Sequence, residues 1–391
     1  MHLPHARHLA YCTNIHRGES WEEILAALQR HALEVRDRVL PGRARPFAIG
    51  LRLSARAARE LSDPGRLADF RRWLDRENAY VFTINGFPFG QFHGTRVKEE
   101  VYRPDWTHPD RLAYTNLLFD LLAQIVPAGC EGSVSTVPVS FKAFGLDARA
   151  LRVARDQLWA CVEHIEKVSR ATGRVLHLGL EPEPLCTLET SREAVDFFHR
   201  LREDRPGDLR LQEHLGINYD CCHLAVEFET ASEALDRLHH AGIKLSKIHL
   251  SNALRLQPTH QALVALRAFA DDTYLHQVVE RDPRGQLHRH RDLPDLLAIQ
   301  TPDDPGADRE WRVHFHVPLH HQPAAHFQTT ADHVAATLDW LRAHPNVAPH
   351  LEMETYTWDV LPAEVRSRSV VDQLAAEYAW TLGELRQRGL A

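Results

Sequence analysis

Apolar positions along this chain follow two spacings in turn, and the alternation repeats from end to end. Short, nearly continuous apolar runs are each followed by a longer stretch in which apolar residues recur three and four positions apart. Leu9–Ile15 reads as a strand and Ser20–Leu40 as the helix after it. Ser20 stands three residues before Glu23, the spacing of a capping box, in which hydroxyl and carboxylate satisfy each other's backbone N–H groups. Further strands are expected at Phe47–Leu53, Tyr80–Ile84, Ser133–Val139, Val175–Leu180, Leu215–Tyr219 and Lys244–Leu250. Helices are expected over Ala148–Thr172, Ser191–Glu203 and Ala231–Ala241, and over Thr330–Ala343 ahead of a last strand at Leu351–Thr355.

Regular β–α alternation predicts a parallel sheet joined by crossover helices. Eight or so such units in 391 residues favour a single α/β domain, a closed (β/α)8 TIM barrel, over an open doubly wound sheet. No GxGxxG follows a strand and no GxxxxGK[ST] occurs, so the nucleotide-binding folds lose support. One stretch, about 253–311, breaks the pattern. Within it, Tyr274–Glu280 and Gln286–Arg291 flank Asp282-Pro283-Arg284-Gly285, a β-turn sequence. A helix plus hairpin inserted near the functional face of the barrel is expected there. Trp311–Val317 (WRVHFHV) is then one strand too many: it either completes the seventh barrel position or pairs outside the barrel. Arg205–Asp208 and Pro302–Asp308 read as exposed loops. With no low-complexity linker, residues 1–391 read as one domain.

Composition narrows the function classes. With 44% apolar and 25% charged residues, the chain reads as a soluble globular protein, neither disordered nor a disulfide-framed miniprotein. A net charge of -7 argues against a general nucleic-acid or anionic-membrane binder. No run of ~18 apolar residues offers a membrane span, and MHLPHARHLAYC lacks the apolar centre of a secretory signal. Six cysteines without a CxxC spacing fit a reducing cytoplasm. The 27 histidines make residue type alone a poor guide, so position has to carry the argument.

In such barrels the chemistry sits where strands end and loops begin. The fifth strand ends in LHLGLEPEP, putting Glu181 at its tip, with His177 and Gly179 on the same face. The sixth ends in NYDCCH, with Asp220 at the tip and His223 one turn on; the seventh, KIHLSN, carries His249. The last, HLEMETYTW, carries Glu352 and Glu354 on one face. Carboxylates gathered at a barrel mouth repel one another unless protonated or neutralised. A divalent cation taking both O and N ligands neutralises them, so Glu181, Asp220, His249 and Glu354 suit Mn²⁺, Zn²⁺, Co²⁺ or Mg²⁺. His314 and His316 share a face of the extra strand. Asn85 at the tip of the third strand can hold a substrate hydroxyl or shape the turn with Gly86. His93, Arg96 and Lys98 lie in a polar loop that, with Phe87, Phe89 and Phe92, is a candidate lid over an anionic, partly aromatic substrate. Lys142 after the fourth strand is a candidate anion-holding group, and Glu183 reads as solvated or supporting.

Glu181, the D-x-x-H of Asp220 and His223, His249 and Glu354 in METYTW resemble the xylose-isomerase-like TIM-barrel superfamily, with its sugar isomerases, epimerases and endonuclease IV-type phosphodiesterases. More closely, YCTNIH, YVFTINGFPFGQFHGTRVKEEVYRPDW, LGLEPEP, NYDCCH, FHVPLH and HLEMETYTWDVLP resemble the EboE metabolite-traffic family, which is associated with moving a secondary-metabolite precursor. The resemblance implies Glu181, Asp220, His249 and Glu354 as the metal ligands, and His223, His314 and His316 as holders of a second ion. The phosphodiesterase members carry Asp-x-His where this chain has His314-Phe315-His316. They also use earlier-strand histidines that STVPVSF lacks.

Three functions follow as expectations. The first is a metal-dependent isomerase or epimerase of a sugar-like or hydroxy-carbonyl metabolite, with Glu181 or Glu354 moving the proton. The second is a multi-metal phosphodiesterase or other hydrolase. The third is a non-enzymatic metabolite binder in an export pathway. In each the partner is a small molecule; nucleic acid and direct membrane insertion are not expected.

Overall fold

In the computed structural model, residues 43, 44, 300–307, 322–325, 364 and 367 lie outside the described part of the chain. The capping box forms as its spacing predicts. Glu23 N donates to Ser20 Oγ at 3.3 Å, and Ser20 N donates to the Glu23 carboxylate at 2.9 Å. The helix begun there runs Trp21–Val39, through a π-helical turn at Leu28–Ala32.

The strands in chain order are β1 (His8–Tyr11), β2 (Phe47–Arg52), β3 (Ala79–Asn85), β4 (Gly132–Thr136), β5 (Leu176–Leu180), β6 (Leu215–Asp220), β7 (Lys244–Leu250), β8 (Leu254–Leu256), β9 (Val278–Arg281), β10 (Leu287–His290), β11 (Glu310–Val313), β12 (Gln328–Thr329) and β13 (His350–Met353). Eight of them form one parallel sheet in the order β1-β13-β7-β6-β5-β4-β3-β2. A parallel bridge between Cys12 and Gly50 brings the two edges together, and the sheet is a (β/α)8 TIM barrel. Gly50 is required by what lies inside. A Cβ there would come 1.7 Å from Glu352 Oε1, so any side chain at 50 competes with that carboxylate for space.

The barrel core beneath the mouth is partly polar. His8 Nδ1 and the Tyr80 hydroxyl lie 3.0 Å apart, His177 Nδ1 and Ser246 Oγ 2.6 Å, and His350 Nδ1 and Ser133 Oγ 2.7 Å. Burial lowers all three imidazoles, His8 and His177 to about 4, so they sit as neutral rings, each sharing a hydrogen bond with a hydroxyl.

Between β7 and β13 the chain builds a second sheet, β10-β9-β11-β8-β12, antiparallel throughout. Leu254, Leu256, Leu266, Val278, Trp311 and Val313 form an apolar cluster of its own. Two expectations change. The irregular region reaches Gln328–Thr329, well past residue 311, because β12 pairs back onto β8. The strand expected over Trp311–Val317 ends at Val313 and pairs outside the barrel, so His314 and His316 lie beyond any strand. Past Val313 the backbone N–H groups go elsewhere: His314 N to Gln277 O (2.8 Å) and Val317 N to Asn252 O (3.0 Å). The hairpin forms around its expected turn, with Gly285 N donating to Asp282 O at 2.9 Å. The loop expected at Pro302–Asp308 falls, up to 307, outside the described residues. No described helix is long and apolar enough to cross a membrane, and all six cysteines are free.

Candidate functional site

At the mouth, three strand-end carboxylates surround one imidazole nitrogen. His249 Nδ1 lies 3.0 Å from Glu181 Oε1, 3.1 Å from Glu354 Oε2 and 3.4 Å from Asp220 Oδ2. One donor atom from each of the four residues lies within 4.8 Å of every other, and all four residues are buried.

Local structure explains each placement. Asp220 ends β6 and caps the helix Cys221–Val226: its Oδ1 accepts from His223 N at 2.9 Å and from Ser251 Oγ at 2.8 Å. That use of Oδ1 leaves Oδ2 facing His249, without a hydrogen-bond partner. The D-x-x-H spacing is thus a helix start that presents a carboxylate on one side and an imidazole on the other. Glu181 follows β5, its N–H anchored on Thr136 O, and its Oε2 is likewise unpartnered. Glu354 follows β13; its Oε1 accepts from Asn14 Nδ2 at 2.7 Å and Asn85 Nδ2 at 3.0 Å.

Behind His249 lies a buried relay that the sequence reading left unresolved. His249 Nε2 is 2.9 Å from Glu352 Oε2, which also accepts from Lys247 Nζ at 2.6 Å. Lys247 further donates to Ser135 Oγ at 3.1 Å. Although burial opposes it, Lys247 and then His249 bring the Glu352 carboxyl down to about 2. An ionised Glu352 fixes the His249 ring with Nε2–H toward it and Nδ1 toward the three acids, as metal-ligating histidines are commonly held. Burial would lower the His249 imidazole; Glu354 and Glu181 outweigh it and hold it well above its ordinary value. One shared proton cannot satisfy three carboxylates, and two of their oxygens stay orphaned. A divalent ion would satisfy them, so this donor set fits one.

A second cluster adjoins the first. The ring of His223 lies 4.5 Å from that of His314 and 5.7 Å from that of His316, centroid to centroid, and His314 and His316 are 5.3 Å apart. His314 Nδ1 pairs with Gln277 Oε1 and His316 Nδ1 with Glu354 O, so each ring's Nε2 is left without a partner. Glu183 belongs here too. It is 5% exposed rather than solvated, accepts from the Tyr102 hydroxyl at 2.6 Å, and burial pushes its carboxyl up to about 7. Donor atoms of Glu183, His223 and His314, of Asp220, His223 and His316, and of Cys222, His314 and His316 form three further groups that could hold an ion.

An open pocket lies over both clusters. Asn85, Glu181, Glu183, His223, His314 and Glu354 line its inner side; Phe87, Phe92, Tyr102, Tyr274, Leu275 and Tyr356 line the outer. Three of the residues expected to hold substrate fall outside this lining. His93 is buried as a strut, its Nδ1 2.5 Å from the Tyr274 hydroxyl and its Nε2 2.5 Å from Asn14 O. Arg96 is exposed on the outer surface of the loop. Lys142 is turned away into ion pairs with Glu189 (2.6 Å) and Glu193 (2.8 Å), which leave it no charge to spare for an anion. Phe89 packs on Tyr114 instead of closing the pocket. Sequence reasoning missed Asn14 and Lys247; Lys247 had a signal, since it sits two residues before His249 on the same face of β7.

No protein-family model and no curated protein sequence matches the chain. Solved structures do. A xylose isomerase-like TIM barrel protein from Mycobacterium smegmatis, in complex with magnesium, aligns with a TM-score of 0.55 at 15% identity over 100% of each chain. An L-ribulose 3-epimerase aligns at 0.51 and 12% identity over 98% of this chain and 95% of that one. The IOLI protein with a binding zinc atom aligns at 0.51 and 12% identity over 97% and 98%. At these identities the likeness establishes the fold, a xylose isomerase-like TIM barrel, and leaves the reaction to be argued from the site.

Proposed function

We propose that this chain is a divalent-metal-dependent isomerase or epimerase of a small sugar-like or hydroxy-carbonyl metabolite. The observation that carries the reading is the convergence of Glu181, Asp220 and Glu354 on His249 Nδ1, with two carboxylate oxygens left over beneath an open pocket. The four residues are the proposed ligands of Mn²⁺, Zn²⁺, Co²⁺ or Mg²⁺. An ion bound there supplies positive charge that polarises a substrate carbonyl and offsets the acid cluster. The chain's own groups do the rest. Asn14 and Asn85 hold Oε1 of Glu354 and so fix the angle of its other oxygen. Glu352, anchored by Lys247, sets the tautomer of His249. Glu181 and Glu354, the two acids of the set that border the pocket, take and return the proton at carbon. Solvent-deuterium incorporation into sugars and hydroxy-ketones tests this: exchange that needs metal and disappears in Glu181→Gln supports it, and absence of exchange across the panel overturns it.

A second reading, a two-ion phosphodiesterase or hydrolase, draws on the unpartnered Nε2 atoms of His314 and His316 beside His223. Metal content separates the two readings: one tightly bound ion per chain fits the isomerase, two or more with cleavage of a phosphodiester fit the hydrolase. The link to metabolite traffic rests on the sequence motifs alone, as does a cytoplasmic setting on the free cysteines. We also read the second sheet as part of one folding unit with the barrel, which a single calorimetric transition would support.

A further inference from the structure

The pocket is built differently on its two sides, and the difference bears on what can enter. Its outer wall consists of ring faces and aliphatic carbons: Phe87, Phe92, Tyr102, Tyr274, Leu275 and Tyr356. The hydroxyls of Tyr102 and Tyr274 are spent on Glu183 and His93, so these two residues offer rings rather than hydrogen bonds. Phe92, Tyr274 and Tyr356 pack mutually edge-on or tilted, with centroids 5.1–5.3 Å apart, as a preformed aromatic corner.

The charge on this wall is also accounted for. Lys98 is the sole lysine or arginine among the described lining residues. Its ammonium is taken up by Asp292 Oδ2 at 2.7 Å and Asp271 O at 2.9 Å. The acids Glu181, Glu183 and Glu354 face the same space. A phosphate at the end of the tail, set against this outer wall, would therefore meet rings with no lysine or arginine free to receive it.

We infer that the substrate is a hydroxy-carbonyl or polyol compound carrying an uncharged aromatic or other apolar tail, rather than a free sugar or a sugar phosphate. The polar head lies toward the acid–imidazole centre and the tail against Phe87, Phe92, Tyr274 and Tyr356. This rests on the isomerase reading for the head and on the outer wall for the tail.

Three ketones sharing one head test it against the Mn²⁺-loaded protein by calorimetric titration: 1-hydroxy-3-phenylpropan-2-one, dihydroxyacetone and dihydroxyacetone phosphate. The phenyl ketone should bind at least about tenfold more tightly than dihydroxyacetone, the effect of burying one ring. The phosphate should bind no better than dihydroxyacetone. Phe92→Leu and Phe92→Ala should erode the phenyl advantage in that order; the wild-type ranking stands without any variant. Tightest binding by the phosphate, equal binding of all three, or no binding of the phenyl ketone overturns the inference. Deuterium exchange on the same compounds keeps the two proposals apart. Tail-ranked binding without exchange retains the tail inference and removes the isomerase. Exchange with dihydroxyacetone but no tail ranking does the reverse.

Discussion

Two groups of buried histidines occupy the two ends of one barrel, and their surroundings set them to opposite purposes. In the lower barrel, His8, His177 and His350 each share a hydrogen bond with a hydroxyl, and burial leaves them neutral. At the mouth, His249 faces three carboxylates and is held well above its ordinary value. Residue type and burial are the same in both places. The count of carboxylates differs: below, each imidazole shares a hydrogen bond with a hydroxyl and a single carboxylate, Glu131, stands 3.1 Å from His177 Nε2, whereas above, three carboxylates converge on one imidazole and two of their oxygens have no donor. A surplus of buried acceptors bordering a pocket marks a candidate site.

The largest expected effect tests this directly. His249→Ala should weaken Mn²⁺ or Zn²⁺ binding by about three orders of magnitude, roughly 4 kcal/mol, with the barrel still folded by circular dichroism. His350→Ala should do the converse. Metal affinity should stay within about twofold while stability falls by about 2 kcal/mol, as Ser133 loses one of its two partners and a cavity opens. If both variants lose metal equally, the division between the two ends fails.

Chelation comes next. Removing the ion should destabilise the wild-type protein by about 2.7 kcal/mol relative to protein held at a hundredfold excess over Kd. The melting temperature of His249→Ala should not respond. A smaller effect is expected behind the imidazole. Glu352→Gln keeps the shape but loses the charge that orients His249, and should cost about ten- to a hundredfold in metal affinity, read by competition with a chelating dye.

The smallest effect, taken per pH unit, concerns an acid with neither arrangement. Glu377, on the helix Val370–Gln387, is fully buried, and burial pushes its carboxyl from the ordinary 4.5 to about 8. Between those values the folded chain holds a proton that the unfolded chain has released. Stability therefore falls as pH rises through that window, by at most about 1.4 kcal/mol per unit. Glu377→Gln should flatten that slope; an unchanged slope assigns it to other groups.

The strand-end groups were legible in the sequence because a strand's end and its facing parity can both be read from an apolar run. Glu181, Asp220, His249 and Glu354 needed nothing more to be brought together on paper. The second sheet was only partly legible, since its five strands are two to four residues long and pair across gaps of up to 70 residues or so. The helix Pro109–Ile125 gave no clean stripe because it buries Arg111, Tyr114, Thr115, Leu118, Phe119 and Leu122 around much of its circumference. The outer pocket wall was harder still. Tyr274 and Leu275 come from the second-sheet region, and the pairing that neutralises Lys98 lies 194 residues away at Asp292. Lys142 looked available in sequence because its partners Glu189 and Glu193 belong to a different βα unit.

Gly50 gives the barrel seam a genetic meaning. It carries no functional group, yet the smallest heritable change there, a single methyl, would meet Glu352 and through it the His249 ring. A screen for loss-of-function alleles would thus return position 50 together with the acids and the imidazole. Its intolerance would record an occupied volume, and a map of essential positions in this chain would outline the shape of the Glu352 carboxylate as well as the chemistry in front of it.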